Sequence, residues 1–453
     1  MHSNSSLLID VHNRIRAYTS AINDRTVFPT PAALDALSEL DTPLPDDPTD
    51  PAQVLDMLDE IGSPATVATS GGRYFGFVTG GVLPAAQAAA LLAAAWDQNG
   101  GLSVMSPIAA QLEQIALGWL VELLGLPAGT GGGFVTGATM ANFSALAAAR
   151  HALLERQGWN VEADGLFGAP PLQVVVGDEV HASLLKALSM IGFGRARVIR
   201  VPVDGQGRMR ADALPVLNAH TILCIQAGNV NTGAFDPAAD LCQAAQQAGA
   251  WVHVDGAFGL WALAAPARAP LAAGLEMADS WATDGHKWLN VPYDSGLVFI
   301  RRPEHLHASM AASAAYLLQD GRREPLHYTP EMSRRARGID VWAALRSLGR
   351  QGLAHMIERN CQQATRFGQG LQAAGYEILN DVVLNQVLVS FGDAETTQRV
   401  IQAIQQEGTC WCGSTVWQGR AAMRISVSSW ATTDEDVERS LAAMVRVARE
   451  IVG

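Results

Sequence analysis

The chain predicts an α/β fold with a mainly parallel sheet, on three observations. From about residue 63 to 324, β-branched runs alternate with helical ones, the pattern of strands joined by crossover helices. Small and polar residues follow several of these runs, at the strand ends where such folds gather ligand chemistry. The length of 453 residues, 49% of them hydrophobic, is enough to bury more than one core.

Residues 1–62 read as a helical arm, with the Pro- and Asp-rich run 41–51 as a linker. The apolar stretch 82–96 predicts a helix. It is shorter than a membrane span and carries Pro84 and Gln87, so burial in protein is expected. A large unit over 63–338 follows, with strands expected at 173–176, 196–201, 221–226, 251–255, 280–283 and 296–301. A long helix from near Ile339 opens a small α+β unit over 339–453, with strands at 376–379, 386–391 and 422–428.

Four segments carry candidate chemistry. Gly131-Gly132-Gly133-Phe134-Val135-Thr136-Gly137-Ala138-Thr139 runs into an alanine-rich helix. Small residues before a helix start expose backbone amides at the positive end of the helix dipole, which suits a phosphate. No Gly-Lys-Ser/Thr follows, so the segment is not a nucleotide P-loop. After the run Val174-Val175-Val176, His181 sits near a helix start, as a structural hydrogen-bonding residue or a ligand-facing one. Trp251-Val252-His253-Val254-Asp255 reads as a buried strand ending in an acid, either a helix N-cap or a partner for a pyridine nitrogen. Finally, Asp284-Gly285-His286-Lys287-Trp288 lodges a lysine between two apolar runs. That lysine is either a snorkelling surface residue or an amine poised to condense with an aldehyde, which requires the neutral state that partial burial favours.

In this order, phosphate loop, histidine, aspartate and His-Lys, the chain resembles the group II pyridoxal-phosphate-dependent amino acid decarboxylases. These include aromatic amino acid, glutamate and diaminobutyrate decarboxylases. The resemblance runs from about Gly71 through Trp342 and takes in Arg73-Tyr74-Phe75-Gly76-Phe77 and Arg334-Arg335-Ala336-Arg337. It implies the fold type I architecture of PLP-dependent transferases, a large domain with a seven-stranded-type sheet and a small C-terminal α+β domain, and pyridoxal 5'-phosphate (PLP) as cofactor. By the same resemblance, Lys287 would bear the cofactor and Asp255 would keep its pyridine nitrogen protonated. His181 would stack on one ring face and Ala257 pack on the other. Ala138 and Thr139 would contact the phosphate, with Gly137 and His286 beside them in the cofactor site, and Asn229, where the family usually has threonine, would reach the phosphate or the ring oxygen.

Tyr316, in a polar and turn-rich stretch that also reads as an ordinary exposed loop with the tyrosine packed at its base, matches the family's loop tyrosine that protonates the substrate carbon, with His181 as the other proton donor. Phe77 and Thr79 would line the substrate pocket, and Arg424 would meet a carboxylate. The alternating pattern around Arg424 also allows a solvent-facing side chain. Where some aromatic-type relatives have a second arginine shortly after, this chain has Ser429-Trp430-Ala431.

The implied reaction is decarboxylation of an L-amino acid to its amine. The same cofactor residues would serve a lyase or aldolase cleaving another α-carbon bond, or an oxidative decarboxylation to an aldehyde. A non-catalytic scaffold is argued against by the intact Lys287, Asp255 and His181 set. A homodimer with active sites at the subunit interface is implied, the first segment resembling the arm that wraps the partner.

The net charge of -13, with no basic cluster interleaved with aromatics, argues against a nucleic-acid surface. The five cysteines are odd in number and show no paired metal-ligand spacing, so no metal site is expected. Cys410-Trp411-Cys412 would project both thiols to one face of a strand. A reduced, cytoplasmic protein is the simplest reading, and the N-terminus lacks the apolar core of a signal peptide.

Overall fold

The computed structural model describes residues 4–312 and 323–452. Its helices are α1 (Asn4–Ala21), α2 (Pro31–Ala36), α3 (Pro51–Met57), α4 (Pro84–Trp96), α5 (Pro107–Leu123), α6 (Ala138–Glu155), α7 (Val161–Asp164), α8 (Ala182–Met190), α9 (Ala238–Ala248), α10 (Pro303–Met310), α11 (Gly338–Ala373), α12 (Ala394–Glu407) and α13 (Asp434–Val452). The strands are β1 (Gly131–Val135), β2 (Gln173–Gly177), β3 (Ile199–Val201), β4 (Thr221–Gln226), β5 (Trp251–Asp255), β6 (Ser280–Asp284), β7 (Gly296–Ile300), β8 (Glu377–Ile378), β9 (Gln386–Ser390), β10 (Gly413–Trp417) and β11 (Arg420–Ser426).

Seven strands form one sheet in the order β1-β7-β6-β5-β4-β2-β3. The five from β3 to β6 are mutually parallel, and β7 runs antiparallel to both β6 and β1. Side chains alternate across a strand, so each run feeds two cores. Val175, Leu223, Val252 and Val254 enter one. Val174, Val176, Ile222 and Trp251 enter the other, where Ala141, Ala145, Ala148 and Ala152 of α6 pack against them. A four-stranded antiparallel sheet, β10-β11-β9-β8, has its own core of Val387, Val389, Met423 and Ile425 against Phe367 of α11 and Met444 of α13.

Three local expectations change. The glycines expected to form a loop at 131–133 lie in β1, where a Cβ on Gly132 would come within 2.0 Å of the Val298 carbonyl oxygen. Their role there is close approach of a neighbouring strand. The strand β10 was not expected, because Gly413-Ser414-Thr415 carry no apolar signal and only Val416-Trp417 follow, too short a run to mark a strand. The helix expected to be buried, now α4, has Ala86 as its one fully buried residue and leaves Leu91, Leu92 and Trp96 exposed at 48%, 55% and 44%. Its sequence is apolar nearly all round, whereas this chain packs chiefly α11 against it. Among the described residues no helix is long and apolar enough to cross a membrane.

Candidate active site

Parallel pairing sets Asp255 opposite Gln226 and Ala282, so the ends of β4, β5 and β6 lie side by side. The Asp284 amide donates to the Ala257 carbonyl at 2.9 Å, tying the turn after β5 to the end of β6. From there the Asp284 side chain reaches across to α6, where Oδ1 accepts the Ala138 amide at 2.5 Å. Its Oδ2 lies 3.0 Å from Lys287 Nζ, and His286 Nε2 lies 3.5 Å from Oδ1. A helix N-terminal amide, a lysine and a histidine thus converge on one carboxylate, which is the donor set an anion requires. A Cβ on Gly137, the residue ahead of that helix, would crowd the His286 ring at 3.2 Å and Asp284 Oδ1 at 3.3 Å. Sequence reasoning singled out Lys287 and His286 but assigned Asp284 no role. The signal that could have found it was the one that marked Asp255, an acid closing a buried strand.

Asp255 is buried, and its Oδ1 has no hydrogen-bond partner among the described residues. Burial raises its carboxyl pKa, opposed by the electrostatic influence of His181 and Lys287. It caps no helix, since the short helical turn Gly259–Ala264 is entered from Phe258. A buried carboxylate with one oxygen unpartnered fits a protonated pyridine nitrogen, and the Ala138 amide end of α6 fits a phosphate. The residues present therefore suit PLP.

Of its two expected readings, His181 shows the structural one. It is the N-cap of α8, with Nδ1 accepting the Ser183 amide at 3.2 Å. An accepting Nδ1 puts the proton of the neutral ring on Nε2. Burial lowers its pKa, with Asp255 opposing. In His286 the Ser295 amide likewise donates to Nδ1 at 3.2 Å, and the ring stacks on Tyr293 with centroids 4.3 Å apart. Behind Asp255, His253 donates from Nε2 to Asn142 Oδ1 at 2.8 Å and takes the Ser280 hydroxyl at 2.9 Å on Nδ1, a buried network that fixes β5 against α6 and β6.

The remaining positions divide. Thr139 follows Ala138 in the first turn of α6, and the Ala257 carbonyl is held by the Asp284 amide and by Thr283 Oγ1 at 3.3 Å. The Asn229 side chain serves its own turn, Oδ1 accepting the Asn231 and Thr232 amides at 2.9 and 3.2 Å while Nδ2 donates to Gln226 at 3.3 Å. Phe77 is 64% exposed in the left-handed backbone region at φ 53° and stacks on Trp411, while Thr79 is buried. Arg424 does not face open solvent. Its side chain is half-buried, desolvation lowers its pKa, Nη1 lies 3.5 Å from Asn231 Oδ1, and its charge acts on His181. Tyr316 lies outside the described residues.

The sheet and the lysine-bearing turn beside a buried acid define a PLP-dependent enzyme of fold type I. The chain belongs to the pyridoxal-dependent decarboxylase family: the profile described as the pyridoxal-dependent decarboxylase conserved domain matches residues 34–392. It is 27% identical over 421 residues to tryptophan decarboxylase 1 of Oryza sativa subsp. japonica, covering 84% of this chain and 81% of the relative. Aromatic-L-amino-acid decarboxylase of Bacillus atrophaeus is 24% identical over 437 residues, 91% of this chain and 89% of that one. Among solved structures, Oryza sativa TDC with PLP and tryptamine superposes with a TM-score of 0.90 at 23% identity, covering 99% of this chain and 98% of that chain, a likeness of fold. The protein is a PLP-dependent carboxy-lyase acting on an amino acid.

Proposed function

We propose that Lys287 bears the cofactor in the decarboxylation of an L-amino acid to its amine, with Asp255, His181 and Arg424 arranged around it. One observation carries this reading: a buried carboxylate whose Oδ1 lacks a partner, Asp255, shares a site with a half-buried guanidinium, Arg424, that has no carboxylate within ion-pair distance among the described residues. The first suits a cationic ring nitrogen and the second an anionic substrate group. Bound PLP supplies the electron sink for the bond broken at the substrate α-carbon. Asp255 holds the ring-nitrogen proton through its negative charge, and Gly137, Ala138, Thr139 and His286 hold the phosphate. The Nε2 proton of His181 is available to a substrate carboxylate. Phe77 and Thr79 border the substrate, and Tyr316 returns the proton to the α-carbon, a role that rests on the family resemblance.

The working unit in this proposal is a cytoplasmic homodimer with the site at the subunit interface. The exposed Leu91, Leu92 and Trp96 of α4 support it, as does the exposed Phe77. All five cysteines are free and buried, in keeping with a reducing compartment. Within each subunit the arm spans 1–62, the PLP-binding domain 63–338 and the small domain 339–453.

The test is to incubate the PLP-loaded protein with a pool of L-amino acids and identify products. An amine and carbon dioxide support the proposal. An aldehyde formed with oxygen consumption replaces it with oxidative decarboxylation, in line with the name of a 26% identical relative, phenylacetaldehyde synthase of Arabidopsis thaliana. A cleaved side-chain fragment replaces it with a lyase.

A further inference from the structure

The far end of α6 carries a second cluster of chemistry. Ala138 opens the helix at the candidate active site, whereas His151 and Glu155 lie near its C-terminus, roughly 20–25 Å away at about 1.5 Å per residue. Being four residues apart, they share one helix face. His305, on α10, completes a set of three groups whose ligand atoms all lie within 4.8 Å of one another.

We propose that His151, Glu155 and His305 bind a divalent transition-metal cation, with Zn2+ the best match. Two imidazoles and a carboxylate are a donor set that zinc takes in tetrahedral sites with a fourth position open. His151 Nε2 lies 3.6 Å from Glu155 Oε2, and His305 Nδ1 lies 4.0 Å from the same oxygen. Metal bonds of about 2.1 Å at tetrahedral angles put donors about 3.4 Å apart, so small side-chain shifts close the site. Glu155 is exposed, which leaves the fourth position to water.

Two further observations point to a ligand. His151 Nδ1 lies 2.8 Å from Glu162 Oε2. A carboxylate on that nitrogen fixes the proton there and leaves Nε2 as the free donor atom facing Glu155, the outer-sphere arrangement of metal-binding histidines. His305, for its part, is 8% exposed and makes no side-chain hydrogen bond among the described residues, its Nε2 being buried without a partner. A buried imidazole with neither nitrogen bonded is costly, and a metal at Nδ1, the nitrogen facing Glu155, engages one of the two. Glu155 and Glu162 together supply two negative charges for a dication. The bound cation would pin α10 to the C-terminal end of α6.

The experiment uses chelator-treated, PLP-loaded protein titrated with Zn2+ by calorimetry, with Co2+ as a spectroscopic probe. One Zn2+ equivalent per chain, tetrahedral Co2+ absorption bands and a Zn2+-dependent rise in melting temperature are expected. The exposed Glu155→Gln and the adjacent His151→Ala should each lose at least tenfold in Zn2+ affinity with the PLP absorption unchanged. Glu162→Gln should lose on the order of 10–100-fold. The proposal is overturned if the wild type takes up no stoichiometric Zn2+, or if Glu155→Gln and His151→Ala bind it as the wild type does.

Discussion

Lys287 Nζ stands 3.0 Å from Asp284 Oδ2, and the other oxygen of that carboxylate takes the Ala138 amide at 2.5 Å. One side chain therefore holds the lysine and the first turn of α6 in register. Gly80 makes room for this turn: a Cβ there would fall 1.9 Å from the Lys287 carbonyl oxygen. The chain contains two lysines, Lys186 and Lys287. Borohydride reduction of the PLP-loaded enzyme should fix the cofactor on Lys287, and Lys287→Ala should lose both the label and turnover while still folding. Peptide mapping that finds the label on Lys186 would remove Lys287 from its proposed role.

Asp255→Asn keeps the shape of the side chain and removes its charge. Loss of a preorganised charge partner typically costs about 2.7–4 kcal/mol, or roughly 10²–10³ in kcat. Retained PLP binding with such a loss is the expected outcome. Near-normal turnover would show that the buried carboxylate does not act on the ring nitrogen.

Arg424→Gln should raise KM for the substrate with PLP affinity unchanged, because the role proposed for the guanidinium is to meet an anionic substrate group rather than the cofactor. Steady-state kinetics beside a PLP titration separates the two effects, and an unchanged KM would count against a substrate contact.

His253 is buried, and its pKa is pushed down to about 3 by that burial. An unfolded histidine titrates near 6.5, so below that pH the unfolded chain takes up a proton that the folded chain refuses until about pH 3. Stability from this group is complete above about 6.5 and falls as pH drops, by at most about 1.4 kcal/mol per unit. Buried Asp236, pushed up to about 6, opposes this, since its contribution is lost as pH rises from the ordinary carboxylate range toward 6. The difference between wild type and His253→Gln isolates the histidine. Denaturant unfolding at several pH values should show the variant less sensitive to acid, and parallel curves would contradict the buried neutral ring.

Glu113 and Arg334 form a buried ion pair, and Arg334 also donates to the Gly100 and Phe134 carbonyls at 3.0 and 2.8 Å. Removing one partner strands the other charge. Glu113→Gln should cost about 3–5 kcal/mol of stability in denaturant melts, and a loss below about 1 kcal/mol would mean that the pair is not desolvated in solution.

The sequence by itself determined the central strands and the order of the motifs. Runs such as Val174-Val175-Val176 and Trp251-Val252-His253-Val254 are locally apolar and β-branched enough to specify strands, and the residues closing them fall by topology at one edge of the sheet. Glycines misled at β1, because close strand packing and a flexible turn call for the same residue. The tertiary structure alone decided what depends on distance along the chain. Asp284 and Ala138 are 146 residues apart, so no local pattern could reveal that the carboxylate occupies the end of α6. Whether Arg424 faced water or the site turned on how the antiparallel sheet packs, since alternation in a strand fixes two faces but not which one is covered. His305 joined His151 and Glu155 for the same reason: two share a helix, and the third arrives only when α10 folds back across α6.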